Sequence, residues 1–357
     1  MTNTINIISP INQLGYGIAG LNIVNTLHKD GYEVALSIIG QGEAPPEYHP
    51  MIKECVDNAK MPNFNASCIR IWHQFDMSQF IGRGERIGFP IFELDTFTEQ
   101  EKHHLSSLDK IFVCSQWAKN IVEENDIKVD TCVIPLGVNR DIFLRSDASR
   151  KNTIFFNCGK WEKRKGHDIL PEIFSKAFTS EDDVELWMMC ENPFCGPEEN
   201  HAWADSYKRS GLGDKIRLIP RQQSQEEVYN IMKQTDCGVF PSRAEGWNLE
   251  LLEMMSCGKH VIATNYSAHT EFCNKDNCHL VEINSLEEAK DDKWFFGGGN
   301  WGSIKELEID QIVSHMQEIH KLKQEQNLKI NSAGIKTAEK FSWNNTVKEI
   351  ICGMSQI

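Results

Sequence analysis

Short apolar runs alternate along the chain with stretches of helical hydrophobic spacing. In the first part the apolar runs are Ile5–Ser9, Glu33–Ile39, Cys68–Trp72, Arg86–Phe92, Lys110–Cys114 and Thr131–Ile134. Amphipathic stretches such as Ile18–Lys29 and Gln116–Glu124 lie between several of them. Short strands separated by helices predict a parallel sheet covered by helices on both faces.

The same alternation begins again after Asp141–Asn152, a polar segment without apolar period that is the predicted linker. The strands predicted in the second part are Thr153–Asn157, Glu185–Met189, Lys215–Ile219, Cys237–Phe240 and Val261–Thr264. The stretch from Ile309 to Ile357 has mostly helical spacing. We therefore expect two doubly wound α/β domains, residues 1–145 and 151–338, that face a central cleft. Ligands of such sheets bind at the carboxyl ends of the strands.

The chain length and charge agree with a two-domain protein that acts on small molecules. The 357 residues correspond to roughly two domains at about 150 residues each. The formal net charge of −14 argues against nucleic acid and against anionic membrane surfaces as partners. No apolar run approaches the roughly 20 residues that span a bilayer, so we expect no membrane insertion.

Cysteine usage points to a reducing compartment. The twelve cysteines are scattered, and several lie within apolar runs, such as Cys114 and Cys190. This favours buried, reduced thiols and a cytoplasmic location, and Met1–Ser9 lacks the features of a signal peptide. Cys273 and Cys278 with His279 resemble half of a metal site, but no second ligand pair at zinc spacing follows, so no metal is predicted.

The most informative segment joins a strand ending at Phe240 to a helix that begins after Asn248. Asn248 is a favourable N-cap, and Gly258 is suited to end the helix. Glu245 then lies just before the helix, and Glu253 lies about five residues into it. The N–H groups of the helix start attract an anion, and the two carboxylates are placed to accept hydrogen bonds from hydroxyls on either side of it. The alternative is a solvated acidic helix.

Two further segments carry candidate chemistry. Lys160-Trp-Glu-Lys-Arg-Lys165 follows the strand Thr153–Asn157 and Gly159, and its cations are suited to a departing phosphate; the alternative is a solvated basic turn. Gly15-Tyr-Gly-Ile-Ala-Gly20 has the G-x-G-x-x-G form, but it starts late after its strand and lacks the acid of a dinucleotide site. Its glycines are expected in a loop that approaches a ligand, with a plain tight turn as the alternative.

Taken together, these motifs resemble the retaining glycosyltransferases of family 4, which have the GT-B fold of two Rossmann-like domains. The resemblance rests on Gly159-Lys160 with Lys165-Gly166, and on Glu245-Gly246 with Glu253, whose spacing matches the family's E-x7-E motif. Three shorter pieces agree in order: Val113–Ala118, Ile134–Asn139 and Asp236. The resemblance extends from Gly15 to about Glu282.

The resemblance implies roles for individual residues. Glu245 would hold hydroxyls of the donor sugar, and Glu253 would hold the nucleotide ribose. Lys160, where the family commonly has Arg, and Lys165 would bind the diphosphate as leaving group. The remaining donor contacts implied are Tyr16, Gly17, Gly159, Arg221, Gly246, Trp247, Asn248 and Leu249. The C-terminal helix, residues 339–357, would return to the first domain.

One departure from the family concerns a His near the reacting face of the sugar. The corresponding segment, Gly88–Asp95, contains no His, and Glu93 is its nearest polar candidate for a sugar or acceptor contact. The alternative is an ordinary loop carboxylate. Trp72, Phe75, Phe89 and Phe92 are candidates for stacking on an acceptor, with burial in a core as the alternative.

The resemblance implies a hexosyltransferase that needs no cofactor and no metal. It would move a sugar from a nucleoside-diphosphate sugar to a hydroxyl acceptor (a glycan, a lipid-linked glycan or a protein) with retention of anomeric configuration. The alternatives are a catalytically silent nucleotide-sugar or glycan-binding protein and, among enzymes, a GT-B sugar-nucleotide epimerase or a glucan phosphorylase. The donor sugar, its base and the acceptor are left open.

Overall fold

The computed structural model describes residues 4–355 and divides into two compact units. Unit 1 comprises Met1–Asn139 with Phe341–Ile357, and unit 2 comprises Arg140–Lys340. Residues 1–3 and 356–357, at the ends of the predicted first domain and the predicted C-terminal helix, lie outside the described residues.

The described part of unit 1, residues 4–139 and 341–355, contains six strands and five helices longer than one turn. The strands are β1 (Thr4–Ser9), β2 (Glu33–Ile38), β3 (Cys68–Arg70), β4 (Arg86–Gly88), β5 (Lys110–Val113) and β6 (Thr131–Val133). Its helices are α1 (Gly15–Lys29), α2 (His49–Asn58), α3 (Glu99–Ser106), α4 (Gln116–Glu124) and, at the C-terminus, α12 (Trp343–Ser355). A short 3-10 helix, Pro46–Tyr48, precedes α2.

The six strands form one parallel sheet in the order β2-β1-β3-β4-β5-β6. Its strands are buried, as the near-continuous apolar runs predict for a sheet covered on both faces. The C-terminal segment packs on the same sheet, since Lys110 Nζ donates to Gly353 O at 2.5 Å and Thr346 Oγ1 donates to Pro135 O at 2.8 Å.

Unit 2 contains a second parallel sheet and a separate hairpin. Its strands are β7 (Thr153–Gly159), β8 (Val184–Cys190), β9 (Ile216–Leu218), β10 (Cys237–Phe240), β11 (His260–Thr264), β12 (His279–Val281), β13 (Leu286–Lys290) and β14 (Phe296–Gly302). Its helices are α5 (Leu170–Ala177), α6 (Pro197–Lys208), α7 (Gln225–Met232), α8 (Leu249–Ser256), α9 (His269–Phe272), α10 (Glu306–Gln324) and α11 (Ser332–Lys340), with a 3-10 turn at Gly213–Lys215.

The strand order of the second sheet is β12-β11-β10-β7-β8-β9, all parallel. The first strand, β7, lies at the centre, and the chain builds outward from it in both directions. The order therefore reverses between β7 and β10, which makes the crevice outside their carboxyl ends the expected ligand site of the unit.

The division between the units falls at Asn139–Arg140, several residues before the boundary at 145–151 expected from the sequence. The polar segment after Asp141 forms no helix or strand, but it is attached to unit 2. Phe143 is fully buried and its carbonyl accepts from Ser256 Oγ at 2.6 Å, while Ser146 N donates to Cys257 O at 3.1 Å. The segment predicted to be a linker is polar, but the buried Phe143 near its start attaches it to unit 2.

The first glycine-rich segment is helical, so the loop expected there is wrong. Helix α1 already begins at Gly15 and contains Gly17 and Gly20. A Cβ at Gly17 would lie 2.3 Å from Asn12 Oδ1, and one at Gly20 would lie 2.1 Å from Ser9 Oγ. The absence of a side chain lets this helix pack directly on the end of β1.

Two further features concern the whole of the described chain. All twelve cysteines are free thiols. Between Thr4 and Ser355, no helix combines the length and the apolar character needed to cross a membrane.

Candidate active site

Two loops of unit 2 carry most of the chemistry predicted from the sequence, and they follow adjacent strands. β7 ends at Gly159 and β10 ends at Phe240, and these strands are neighbours in the sheet. The loops touch closely, since a Cβ at Gly166 would lie 2.1 Å from Pro241 O. With φ at +75° as well, this position favours glycine on both counts.

The loop after β10 leads into α8 through an N-cap in the left-handed region. Asn248 has φ 84°, and its Oδ1 accepts from Leu251 N at 3.1 Å. Its Nδ2 donates to His269 Nε2 at 2.9 Å, which orients the amide. Gly258, with φ 76°, follows the C-cap Cys257. The N-cap and the helix end predicted from the sequence are confirmed.

The N-terminal end of α8 presents buried backbone donors. Within residues 4–355, the N–H groups of Gly246, Asn248 and Leu249 have no hydrogen-bond acceptor, although all three residues are buried. A buried N–H group without a partner is costly. At a helix start, where the dipole adds positive potential, such groups favour an anionic ligand.

Glu245 lies just before this helix and accepts three hydrogen bonds. Its Oε1 accepts from Lys165 Nζ at 3.0 Å and from Ser242 Oγ at 2.8 Å, and its Oε2 accepts from Arg164 Nη1 at 2.7 Å. A carboxylate has about four lone-pair positions, so Oε2 retains one for a further donor. Burial by itself raises the pKa of Glu245, but Arg164 and Lys165 outweigh it and hold this pKa far below its usual range.

Arg164 and Lys165 are held as permanent charges beside this carboxylate. Arg164 Nη2 also donates to Glu162 Oε2 at 2.7 Å, and its Nη1 donates to Ala244 O at 2.7 Å. Burial lowers the pKa of Lys165, but the negative charges of Glu245 and Glu250 raise it by more, so the net shift is upward. Both cations are therefore charged at neutral pH.

Lys160 has different neighbours. Its Nζ lies 2.8 Å from Glu162 Oε1 and 5.4 Å from the ring centroid of Phe194, and its side chain is 34% exposed. The structure thus brings Lys165 into contact with Glu245 and pairs Lys160 with Glu162. Gly159, which precedes it, has φ 131°, a conformation that favours glycine.

Glu253 is the fifth residue of α8 and is buried. No residue among 4–355 donates a hydrogen bond to its carboxylate. Burial, and then the nearby Glu250, raise the pKa of Glu253 well above its usual range. A buried carboxyl group without a donor is suited to accept hydrogen bonds from a ligand.

The other predicted contacts of unit 2 lie around these loops. Trp247 is buried against Phe272, with ring centroids 4.8 Å apart, and Leu249 is buried as well. A ligand would therefore meet both residues through their backbone. Arg221 is partly buried in the loop after β9.

In unit 1, Tyr16 lies where the strand order reverses between β1 and β3. Its hydroxyl donates to Ile91 O at 2.7 Å and accepts from Ile91 N at 2.9 Å. Its ring lies 5.5 Å from that of Trp72 and 4.7 Å from that of His73. Burial and the charge of Glu93 raise the pKa of Tyr16 well above its usual range, so the phenol remains a neutral donor.

The aromatic candidates of unit 1 separate into two groups. Phe89 and Phe92 are buried in the core. Phe75 is 48% exposed and stacks on His73, with ring centroids 5.1 Å apart and planes 9° from parallel. Phe75 is thus the one placed for an external partner, whereas Trp72 is partly buried and packs against the core. Glu93 is partly exposed and lies near Tyr16.

Two residues of the site were missed by the sequence reasoning. Arg164 was recognised only as one of several cations, yet it pairs with Glu245. His269 is fully buried and joins Asn248 Nδ2 to Thr264 O through its two ring nitrogens. The basic run signalled the first, whereas nothing in the local pattern signalled the second.

Part of unit 2 is similar in sequence to a known protein family. Residues 151–292 match the family described as "Glycosyl transferases group 1". An uncharacterized glycosyltransferase of Methanocaldococcus jannaschii is 31% identical over 194 residues, which are 53% of this chain and about half, 50%, of that protein. The similarity to glycosyltransferases of group 1 thus covers residues 151–292, within unit 2, and the chain spans about half the length of this relative.

Solved structures extend the comparison to the whole chain. Sucrose-phosphate synthase from Thermosynechococcus elongatus is 14% identical, with a TM-score of 0.71 over 98% of this chain and 97% of that one. Anabaena HepE, solved in complex with UDP and glucose, is 13% identical, with a TM-score of 0.71 over 100% of both chains. The fold is GT-B, with two parallel-sheet Rossmann-like domains.

Proposed function

We propose that this protein is a retaining, family 4-type glycosyltransferase that moves a hexosyl group from a nucleoside-diphosphate sugar to a hydroxyl acceptor. The observation that carries the proposal is the row of buried N–H donors at Gly246, Asn248 and Leu249, beside the fixed charge of Lys165. Backbone donors at a helix start and a nearby cation form a site for a diphosphate. The group 1 family match supports the same assignment.

The proposed donor sugar lies at Glu245. Its Oε2 accepts one hydrogen bond, from Arg164, and retains a lone pair for a sugar hydroxyl. Lys165 and Arg164 fix the carboxylate in place, so little reorganisation is needed when the sugar binds. Gly159 and the backbone of Trp247 complete the proposed lining of the loops.

The proposed nucleotide lies along α8. Glu253, which is buried and lacks a donor among residues 4–355, would accept hydrogen bonds from the ribose hydroxyls. Arg221, in the loop after β9, is the candidate for the base. Lys160 and Lys165 would neutralise the diphosphate as charge develops on it, so we expect the reaction to need no metal and no cofactor.

In the proposed reaction the acceptor oxygen forms a bond to the anomeric carbon as the bond from that carbon to the phosphate oxygen breaks. The acceptor proton passes to the departing phosphate oxygen on the same face of the sugar. The products are a glycoside of retained configuration and a nucleoside diphosphate. Charge on the leaving group is stabilised by the donors at the start of α8 and by the lysines.

The proposed acceptor is a glycan or a lipid-linked glycan, and unit 1 is the proposed acceptor-side domain. The exposed stack of His73 and Phe75 supports a carbohydrate acceptor, because aromatic faces pack on sugar rings. Tyr16, Gly17 and Glu93 are the candidates for further contacts to donor or acceptor. We expect the enzyme to act in the cytoplasm.

Donor screening tests the proposal. The full chain is incubated with UDP-, GDP- and ADP-sugars, with UDP-glucose first because HepE was crystallised with it. We expect one donor to raise the unfolding temperature and, with a glycan acceptor, to yield nucleoside diphosphate in the presence of EDTA. NMR of the product should give the anomeric configuration of the donor.

A matched pair of variants localises the effect. Glu253→Gln should lose donor stabilisation, whereas Glu226→Gln, an exposed carboxylate on α7, should keep it. Binding without nucleotide release would support a silent binding protein instead. If no nucleotide sugar binds, the donor site is wrong, and an inverted product would exclude retention.

A further inference from the structure

A cluster of imidazoles and one carboxylate lies at the amino-terminal side of the second sheet. His279 begins β12, the edge strand, and His260 begins β11 beside it. His315 and Glu318 lie one turn apart on α10, which packs on both strands. The loops of the proposed donor site follow the carboxyl ends of β7 and β10, so this cluster lies at the opposite end of the parallel strands.

Three of these side chains converge on one point. Glu318 Oε2 lies 3.9 Å from His279 Nδ1 and 4.0 Å from His315 Nδ1. The ligand atoms that the three residues offer all lie within 4.8 Å of one another. Ligand atoms about 2.0–2.1 Å from a tetrahedral zinc ion are roughly 3.4 Å apart. The Glu318 carboxylate would move about half an ångström toward each imidazole, and the widest pair of ligand atoms would close by up to about 1.4 Å, which side-chain rotation of the exposed Glu318 and the partly buried His279 and His315 allows.

The hydrogen bonds around the cluster determine which ring nitrogens carry lone pairs. Leu280 O can only accept, so His315 Nε2, at 3.0 Å, is the protonated nitrogen and His315 Nδ1 has the lone pair. Lys329 O likewise accepts from His260 Nε2 at 2.7 Å. His260 Nδ1 is then an acceptor for His279 Nε2 at 3.3 Å, which leaves the lone pair of His279 on Nδ1.

Two imidazole lone pairs and a carboxylate therefore face one another, and none of the three groups supplies a proton to the others. Neutral imidazole and carboxylate are ligands for zinc-class ions. Metal-binding His residues commonly donate their second N–H to a carbonyl, as His315 does.

We propose that His279, His315 and Glu318 bind a divalent transition-metal ion of the zinc class, with His260 as a positioning residue behind His279. The Glu318 side chain is 57% exposed, so water can complete the coordination. The ion would join the edge strand β12 to α10. Cys278, adjacent to His279 in sequence, and Cys273 are buried and are not part of the ligand set.

Metal titration of the untagged full chain tests this site. Zinc chloride should bind at one equivalent by calorimetry, and cobalt(II) should give the visible absorption of a tetrahedral site, whereas magnesium should not bind. Saturating zinc should raise the unfolding temperature. Glu318→Gln and His315→Ala should each weaken zinc binding by at least about 100-fold, and His260→Ala by about 10–100-fold, the usual effect of an outer partner.

Two controls distinguish this site from adventitious binding to surface histidines. His201→Ala removes an exposed imidazole on α6, and Glu325→Gln removes an exposed carboxylate just after α10; both should bind zinc as the unaltered chain does. The proposal is overturned if no single-equivalent binding occurs, or if Glu318→Gln and His315→Ala bind like the controls. Glu318 is exposed, so its replacement tests the site without risk to folding.

Discussion

Arg164 and Glu245 form a buried ion pair, with Arg164 Nη1 2.7 Å from Glu245 Oε2 and side chains only 5% and 6% exposed. The pair joins the loop after β7 to the loop after β10. Removing one partner of a buried pair leaves an uncompensated charge, which costs about 3–5 kcal/mol. The carboxylate proposed to hold the donor sugar therefore also contributes to the stability of the fold.

The first prediction separates these two contributions of Glu245. Glu245→Ala should lower the free energy of unfolding by about 3–5 kcal/mol, because Lys165 loses its buried carboxylate partner and Arg164 keeps only Glu162. Glu245→Gln keeps the shape and one acceptor, so we expect a smaller loss of stability, with turnover still reduced about 100-fold or more since the sugar is misplaced. Urea unfolding and nucleotide release measure the two effects.

Glu226→Gln, on the surface of α7, is the matched control and should change neither quantity. If Glu245→Gln turned over at the unaltered rate, the proposed sugar contact would be wrong. A fully stable Glu245→Ala would contradict the energetic role of the ion pair.

The second prediction concerns Lys160 and Lys165, for which the sequence predicts the same role. Both are proposed to bind the diphosphate, so Lys160→Met and Lys165→Met should each lower kcat by about 10²–10³-fold. Only Lys165→Met should lower stability by several kcal/mol, about 3–5, because Lys165 is buried against Glu245. Lys160 is about one-third exposed, and Glu162 keeps its pair with Arg164 when Lys160 is replaced, so the loss at position 160 should be no more than about 1 kcal/mol.

Lys163→Met is the control for the second prediction, because Lys163 is an exposed cation in the same loop. It should leave turnover and stability unchanged. Equal stability losses at positions 160 and 165 would show that burial does not separate the two lysines.

The sequence predicted those elements whose apolar pattern is regular. Cys237–Phe240 and Gln116–Glu124 have the predicted bounds, because one is a fully buried strand and the other has a clear apolar face. Asn248 was found from its side chain alone, since a short amide before an apolar run is a strong cap signal. The start of α8 could therefore be predicted from residues that are neighbours in sequence.

The features that were missed depend on contacts distant in sequence. Strand β13 is mostly exposed, and β14 contains four glycines among its seven residues, so the hairpin has no regular apolar alternation. Gly17 looks like a loop residue until Asn12 is seen to occupy the space of its side chain. The sequence contains a run of four cations and does not show that Arg164 is among those that pair with Glu245.

The third prediction uses the left-handed backbone of Asn248. Asn248→Gly and Asn248→Ala both remove the cap and the hydrogen bond to His269. Glycine tolerates φ of 84°, so Asn248→Gly should lower the free energy of unfolding by about 1 kcal/mol or less. Alanine adds a strain of about 1–2 kcal/mol, for a total of about 2–3 kcal/mol. Urea unfolding of the two variants measures the difference, and equal stabilities would contradict a strained N-cap.

The fourth prediction concerns the pH dependence that Glu253 confers. Burial raises the pKa of Glu253 above its ordinary value of 4.5, so the folded state binds more protons than the unfolded state. The stability that this carboxyl group contributes is fully present below that ordinary value and is lost as pH rises through the raised pKa. Glu253→Gln cannot ionise, so it should become more stable than the unaltered chain as pH rises, by about 1–3 kcal/mol near pH 8.

Urea unfolding at about pH 5 and about pH 8 measures this change, with Glu226→Gln as the exposed control that should follow the unaltered chain. A donor nucleotide should reverse the order, since ribose hydroxyls would stabilise the ionised carboxylate and Glu253→Gln would gain much less from them. Parallel pH profiles for the two chains would mean that Glu253 is already satisfied in the folded state. The proposed role of Glu253 as an acceptor for the ribose hydroxyls would then be wrong.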